Sequence, residues 1–245
     1  WLHEVSKLAM VPLWFLAVYI GMVLLVPLTW RAWERFGRRT LWLPVAAAVL
    51  VDTLRFSGGH TPGIGWFNYF FVWVSVHQLG YMWYVEEEIS PLRALLWAAA
   101  GGAAFAALTL FGPYPLAMVS VPGAEVSNTL PPDIMLLALT AAQWGLLRAL
   151  EGPARRWLQK EGPWTATVLV NSMIMTVFLW HSTAMVLLIA GSVLAGGQGL
   201  GLVPGSGDWW LLRPVWLAVL MLLLTLMVGL FGGFERMRGR ERDRK

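Results

Sequence analysis

Two histidines stand inside apolar stretches of this chain. His181 lies in Val177-Phe178-Leu179-Trp180-His181-Ser182-Thr183-Ala184, and His77 lies with Gln78 in Trp73-Val74-Ser75-Val76-His77-Gln78-Leu79-Gly80. Imidazole titrates near neutrality and can accept, donate or pass a proton. An ionisable group at bilayer depth is costly and usually faces a cavity or a partner. His181 is therefore a candidate for proton handling or substrate positioning; a histidine simply bonded to a neighbouring helix is the alternative for both. Asn171 precedes His181 by ten residues, toward the cytoplasmic end of what reads as the same helix. Neighbouring helix residues point about 100° apart, so His77 and Gln78 do not both face one centre. Asp52 and Arg55, three apart, can pair on one helix face.

A second group of polar residues lies outside the apolar stretches. Residues 112–132 include Gly112-Pro113-Tyr114-Pro115 and Val126-Ser127-Asn128-Thr129-Leu130-Pro131-Pro132. The prolines keep this segment out of helix and narrow its shape. It is either a plain connection or a rigid polar lid over a substrate mouth, since binding residues concentrate on constrained loops. Familiar catalytic signatures are absent from the sequence: no histidine pair around a glutamate, no phosphate-binding loop, no Gly-x-Ser-x-Gly elbow. The chain has no cysteine, so thiolate metal sites, disulfides and cysteine nucleophiles are excluded, and no metal or prosthetic group is expected.

The elements that must position these residues are long and apolar. Hydrophobic residues make up 58% of the 245, and charged residues only 13%, against about a quarter charged in an ordinary soluble domain. A spanning helix needs roughly 20 apolar residues. Seven stretches qualify or nearly so: Leu8–Leu28, Leu41–Phe56, Gly65–Tyr84, Leu92–Phe111, Asp133–Ala149, Thr167–Val193 and Trp210–Phe231. The fold class expected is all-α, a polytopic helical membrane protein. Residues 1–234 form its transmembrane domain, and residues 235–245 a basic cytoplasmic tail. Tryptophans near span ends, such as Trp30, Trp42, Trp164 and Trp209, are interfacial anchors.

Basic residues orient the spans. Arg31, Arg35, Arg38 and Arg39 fall in one connection, Arg155, Arg156 and Lys160 in another, and six more end the chain from Arg236 to Lys245. Connections 112–132 and 194–209 hold no Lys or Arg. Cytoplasmic loops are the ones enriched in Lys and Arg, so the three basic segments and the C-terminus are placed inside and the two bare loops outside. The net charge of +4 is thus explained by topology and lipid headgroups, with no nucleic-acid partner. Seven spans ending inside begin outside. Together with the absence of an initiator Met, this leads us to expect a piece of a longer protein with an odd number of earlier spans.

Several of these segments resemble membrane-bound acyltransferase family 3, whose members O-acylate sugars and other exported molecules. Pro12-Leu13-Trp14-Phe15-Leu16 followed by Pro27 is similar to the family's Leu-Trp-Phe-Leu helix. Phe178-Leu179-Trp180-His181 resembles its Tyr-Leu-Trp-His motif, with Phe for Tyr. Asn68-Tyr69-Phe70-Phe71-Val72-Trp73 through His77-Gln78-Leu79-Gly80, and Val126-Ser127-Asn128 before Pro131-Pro132, resemble one bacterial branch. The family's first helix, with its Arg and its catalytic-base His, has no counterpart, nor has the arginine-bearing third helix. Tyr19 stands where many members have Glu. The resemblance implies about ten spans in the intact fold, of which about seven are present.

It also implies a function. The intact enzyme would move an acyl group, most simply acetyl, from acyl-CoA as donor substrate to a hydroxyl of a small-molecule or glycan acceptor, in the bacterial cytoplasmic membrane. His181 would serve as an accessory acid or base. His77, Gln78 and Asn171 would hold ligand or backbone by hydrogen bonds, and Ser127 and Asn128 would border the acceptor. The alternative is a transporter or flippase of a lipid-linked or small polar substrate, with His77 and His181 lining its path. A third possibility is an inert membrane scaffold.

Overall fold

The computed structural model describes residues 2–57, 63–86, 88–118, 126–202 and 206–242, with side chains placed between Trp14 and Phe231. Eight α-helices are described: α1 Leu2–Phe36, α2 Arg39–Phe56, α3 Asn68–Val85, α4 Pro91–Phe111, α5 Ile134–Leu158, α6 Glu161–Asn171, α7 Ile174–Leu194 and α8 Gly207–Arg242. A 3₁₀ turn at Ile64–Phe67 leads into α3. Among the described residues the only β-type pairing is an isolated bridge from Thr129 to Pro132. The protein is an all-α polytopic membrane protein. Among the described residues, five helical segments are long and apolar enough to cross a bilayer: Trp14–Phe36, α4, α5, α7 and Gly207–Phe231. Leu95, Leu96, Leu110, Leu217 and Leu222, each more than half exposed, are surfaces suited to lipid rather than water.

Helix ends differ from apolar ends. α1 continues past Leu28 through Arg31 and Arg35, and only Gly37 (φ 56°) and Arg38 separate it from α2. α5 likewise carries Arg155 and Arg156 in its last turn. The backbone ladder continues after the side chains turn polar, so two of the basic connections are largely helical. The expected single span Thr167–Val193 is broken into α6 and α7. The Ser172 hydroxyl donates to the Leu169 carbonyl at 2.7 Å, Met173 N–H bonds the Val170 carbonyl at 3.1 Å, and Met173 leaves the helical region at φ −125°, ψ 13°. A side chain bonding its own backbone competes with the helical ladder. Asn171 therefore ends α6, and it does not share a helix with His181.

The chain forms two compact units, Val18–Trp157 and Trp1–Ala17 with Leu158–Lys245. In the first, α4 and α5 touch through glycines. A Cβ on Gly101 would stand 2.3 Å from the Ala142 nitrogen, and one on Gly145 2.3 Å from the Ala98 nitrogen. Small residues let helix backbones approach in lipid, where hydrophobic exclusion supplies no drive between helices. Trp33, Leu41, Leu79, Met82 and Trp144 form a core at one end of this unit. Beside it, the buried Arg148 guanidinium lies over Trp83 and Trp144, at 5.1 and 5.9 Å from their ring centres. It donates to the Glu151 carboxylate and the Glu86 carbonyl, each at 2.5 Å. The Glu86 carboxylate in turn holds Arg38, just before α2, and Arg93 of α4, so this acidic turn is tied to basic helix ends. In the second unit, Trp180 stacks on Phe231 at 4.0 Å, fastening α7 to α8.

Candidate functional site

Around Asp52 the first unit buries a network of polar side chains. Asp52 is 1% exposed, and its carboxylate accepts three donors. Asn68 Nδ2 is at 2.8 Å, the Tyr114 hydroxyl at 3.1 Å and the Ile134 backbone N–H at 2.9 Å. The expected pair with Arg55 is not a direct contact. Arg55 instead sets its guanidinium 4.8 Å over the Phe56 ring, close enough for its charge to act on Asp52 and Asp133. Asp133 caps α5: its Oδ1 accepts the Met135 N–H at 3.0 Å. The apolar stretch read as starting at Asp133 thus begins as a helix one residue later, because a carboxylate satisfies the orphan donors of a first turn.

The polar loop ends in this network. Asn128 is fully buried, its Nδ2 donating to the Pro115 and Ala117 carbonyls at 2.6 and 3.0 Å. Its backbone carbonyl receives the Asp133 N–H at 3.3 Å. Ser127 accepts the Thr129 N–H at 3.3 Å. Four atoms in this region are buried with no hydrogen-bond partner among the described residues: Arg55 Nη1, Asn68 Oδ1, Asn128 Oδ1 and Asp133 Oδ2. Burial, reinforced by the neighbouring Asp52 charge, pushes the Asp133 carboxyl up to about 8. Burial and the same charge also raise the Tyr114 phenol, so it stays a proton donor.

His77 and Gln78 face different partners. His77 Nε2 is 3.0 Å from the Tyr81 hydroxyl, which is 3.0 Å from Thr29 Oγ1 on α1. The Thr29 hydroxyl also reaches the Leu25 carbonyl at 3.0 Å. With the Thr29 proton on the Leu25 carbonyl, which only accepts, Tyr81 donates to Thr29 and accepts from His77 N–H; the Tyr81 hydroxyl also lies 3.5 Å from the Val26 carbonyl. Gln78 is 1% exposed, with its amide oxygen 2.9 Å from the Thr40 hydroxyl at the start of α2. One helix position thus carries a relay to α1 and the next a tie to α2.

His181 sits in the second unit on α7, exposed. Its Nδ1 is 2.5 Å from the Phe178 carbonyl, and its Nε2 is 3.3 Å from the Ser182 hydroxyl. Because the carbonyl must accept, Nδ1 carries the proton and Nε2 of the neutral ring keeps its lone pair. In that tautomer Nε2 can accept a hydrogen bond, and the Ser182 hydroxyl is placed to donate one. Phe178 packs on Phe15 at 5.6 Å, joining the two aromatic motifs noted in the sequence. Asn171 is exposed at the end of α6. Asn68, Tyr114, Asp133, Tyr81, Thr29 and Ser182 were not singled out as candidates from sequence. Asn68 opens an aromatic motif, Tyr114 lies between two prolines, Ser182 follows His181 and Asp133 follows two prolines, and these positions carry the signal.

The family model described as an acyltransferase domain, that of acyltransferase family 3, matches residues 1–232. No curated protein and no solved structure matches the chain.

Proposed function

Since this chain belongs to acyltransferase family 3, whose matched region covers residues 1–232, we propose that it carries out acyl transfer from acyl-CoA, most simply acetyl-CoA, to a hydroxyl of a sugar, glycan or similar exported acceptor. The family match is the observation that carries the reaction class. In the transfer the acceptor oxygen attacks the thioester carbonyl carbon and its proton passes to a base. The carbon–sulfur bond breaks, and the CoA thiolate leaves to be protonated. His181 is the accessory acid or base: its tautomer, set by the Phe178 carbonyl, presents a lone pair at Nε2, as a proton acceptor needs. Asn171, His77 and Gln78 hold ligand or backbone by hydrogen bonds. Ser127 and Asn128 border the acceptor from the loop that precedes α5. The setting proposed is a bacterial cytoplasmic membrane with the C-terminus inside.

The test is release of CoA thiol and labelling of a membrane glycan extract from radiolabelled acetyl-CoA, using the full-length protein in vesicles. Label in the glycan that is lost in His181→Ala supports the proposal. Full transfer by that variant removes His181 from the site. The relay from His77 through Tyr81 to Thr29 favours a second function, proton-coupled transport of a polar or lipid-linked substrate. Substrate uptake into vesicles without acetyl-CoA would select it.

A further inference from the structure

After α7, residues 196–201 fold back toward α8. Gly196, Gly197, Gly199 and Gly201 have φ of 91°, 77°, 76° and 79°, in the left-handed region that glycine enters freely. Gly199 lies so close to the Trp216 indole that a Cβ would stand 2.3 Å from its Nε1. Under this clasp is an open groove of about 310 Å³, on the order of ten times the ~30 Å³ a water takes in the liquid. Met185, Leu188 and Ile189 of α7 line one side, and Leu212, Trp216 and Leu220 of α8 the other.

One cation stands on the wall of this apolar groove. Arg213 sets its guanidinium 4.2 Å over the Trp209 ring, and among the described residues no carboxylate or carbonyl meets its N–H groups. It lies in the second turn of the apolar segment Gly207–Phe231, where a tryptophan and an arginine belong at headgroup level. Leu211, Val215 and Leu217, all more than half exposed, flank it on α8. A water-soluble anion would find the charge but leave the groove empty, and a neutral hydrocarbon would fill the groove and leave the guanidinium bare. A phosphate bearing a hydrocarbon chain satisfies both, and guanidinium binds phosphate through two parallel N–H bonds.

We propose that the groove between α7 and α8 is a binding site for one anionic phospholipid of the surrounding bilayer, its acyl chain beneath the glycine clasp and its phosphate on Arg213. The site rests on the membrane character of the fold and not on acyl transfer, so it stands or falls separately from the proposed reaction.

The experiment is native mass spectrometry of the full chain from detergent, titrated with phosphatidylglycerol, phosphatidylcholine or palmitoyl-CoA. One equivalent of phosphatidylglycerol is expected to be retained at least fivefold more tightly than phosphatidylcholine. Arg213→Gln removes that preference and Arg213→Lys keeps it. Leu188→Trp fills the groove and abolishes the same equivalent, while Arg155→Gln, at an exposed arginine of the other unit, binds as the wild type does. Phosphatidylglycerol and phosphatidylcholine held equally, or a preference that survives Arg213→Gln, overturns the site. Palmitoyl-CoA held in preference to phosphatidylglycerol overturns the phospholipid as occupant. A diazirine-bearing phosphatidylglycerol, photolysed on the unaltered protein, needs no folded variant. Adducts within 185–189 and 212–220 support the site, and adducts only elsewhere refute it.

Discussion

The Asp52 carboxylate accepts the Ile134 backbone N–H at 2.9 Å, across 82 positions of sequence. A side chain of α2 thereby caps α5, placing negative charge at the positive end of a helix whose first amides lack partners. The same carboxylate holds Asn68 at the start of α3 and Tyr114 after the end of α4. Four helices of the first unit thus meet around one residue.

Asp52→Ala is expected to destabilise the protein by roughly 2–4 kcal/mol, because it strips a helix cap and strands two buried donors. Asp52→Asn retains an acceptor oxygen and costs less. Thermal melting in detergent and hydrogen exchange at the Ile134 amide read both effects. An unprotected Ile134 amide in the unaltered protein would contradict the cap.

The glycine contact between α4 and α5 gives a matched pair of substitutions. Gly145→Ala forces a Cβ against the Ala98 backbone, and overpacking of this kind costs roughly 1–3 kcal/mol. Gly102→Ala, where a Cβ meets nothing within 4 Å, gains roughly 0.5–1 kcal/mol from the better helix former. Melting shifts of the same sign in both would show that helix propensity, and not close packing, governs these sites.

Acidity at the start of α5 sets a pH dependence. The Asp133 carboxyl moves from 3.8 to about 8 in the folded protein, so the native state holds its proton where the unfolded chain has lost it. Stability from this group is greatest below about 4, declines between 4 and 8 as the unfolded chain ionises, and reaches its low plateau above 8. Asp133→Asn imitates the protonated form and flattens that decline. Melting of the two proteins between pH 4 and 9 checks this, and parallel profiles would reject it.

His181→Ala is expected to slow acyl transfer by roughly 100-fold if Nε2 handles the proton. Ser182→Ala, which leaves the Phe178 anchor intact, has a smaller effect. A nitrogen-15 spectrum of the imidazole should show Nδ1 protonated and Nε2 bare at high pH. The opposite tautomer would remove Nε2 as the base.

Much of the fold was legible from composition and periodicity. Unbroken apolar runs mark most of the helices, and Pro91 behind Ser90, which caps Arg93 N–H at 3.3 Å, marks the start of α4. Helix ends were harder, because hydropathy reports where lipid is tolerated and not where the backbone ladder stops. Arg31 and Arg35 read as loop residues and prove helical. The break at Ser172 and Met173 was invisible, since a serine bonding its own carbonyl leaves no mark in hydropathy.

The sequence by itself determined the membrane class and the acyltransferase resemblance, and it singled out His181, His77, Gln78, Asn171, Ser127 and Asn128. These follow from residue type and local order, which a chain carries before it folds. Tertiary structure alone decided that Asp52 answers to Asn68, Tyr114 and Ile134 rather than to Arg55, and that His77 reaches Thr29 through Tyr81. It alone set the tautomer of His181 through the Phe178 carbonyl and hung a glycine clasp over the groove beside Arg213. Each of these is a hydrogen bond or close approach whose partner depends on helix rotation, a break or a left-handed turn. Spacing along the chain does not encode such partners, because short-range directional contacts form only after packing has chosen which faces meet.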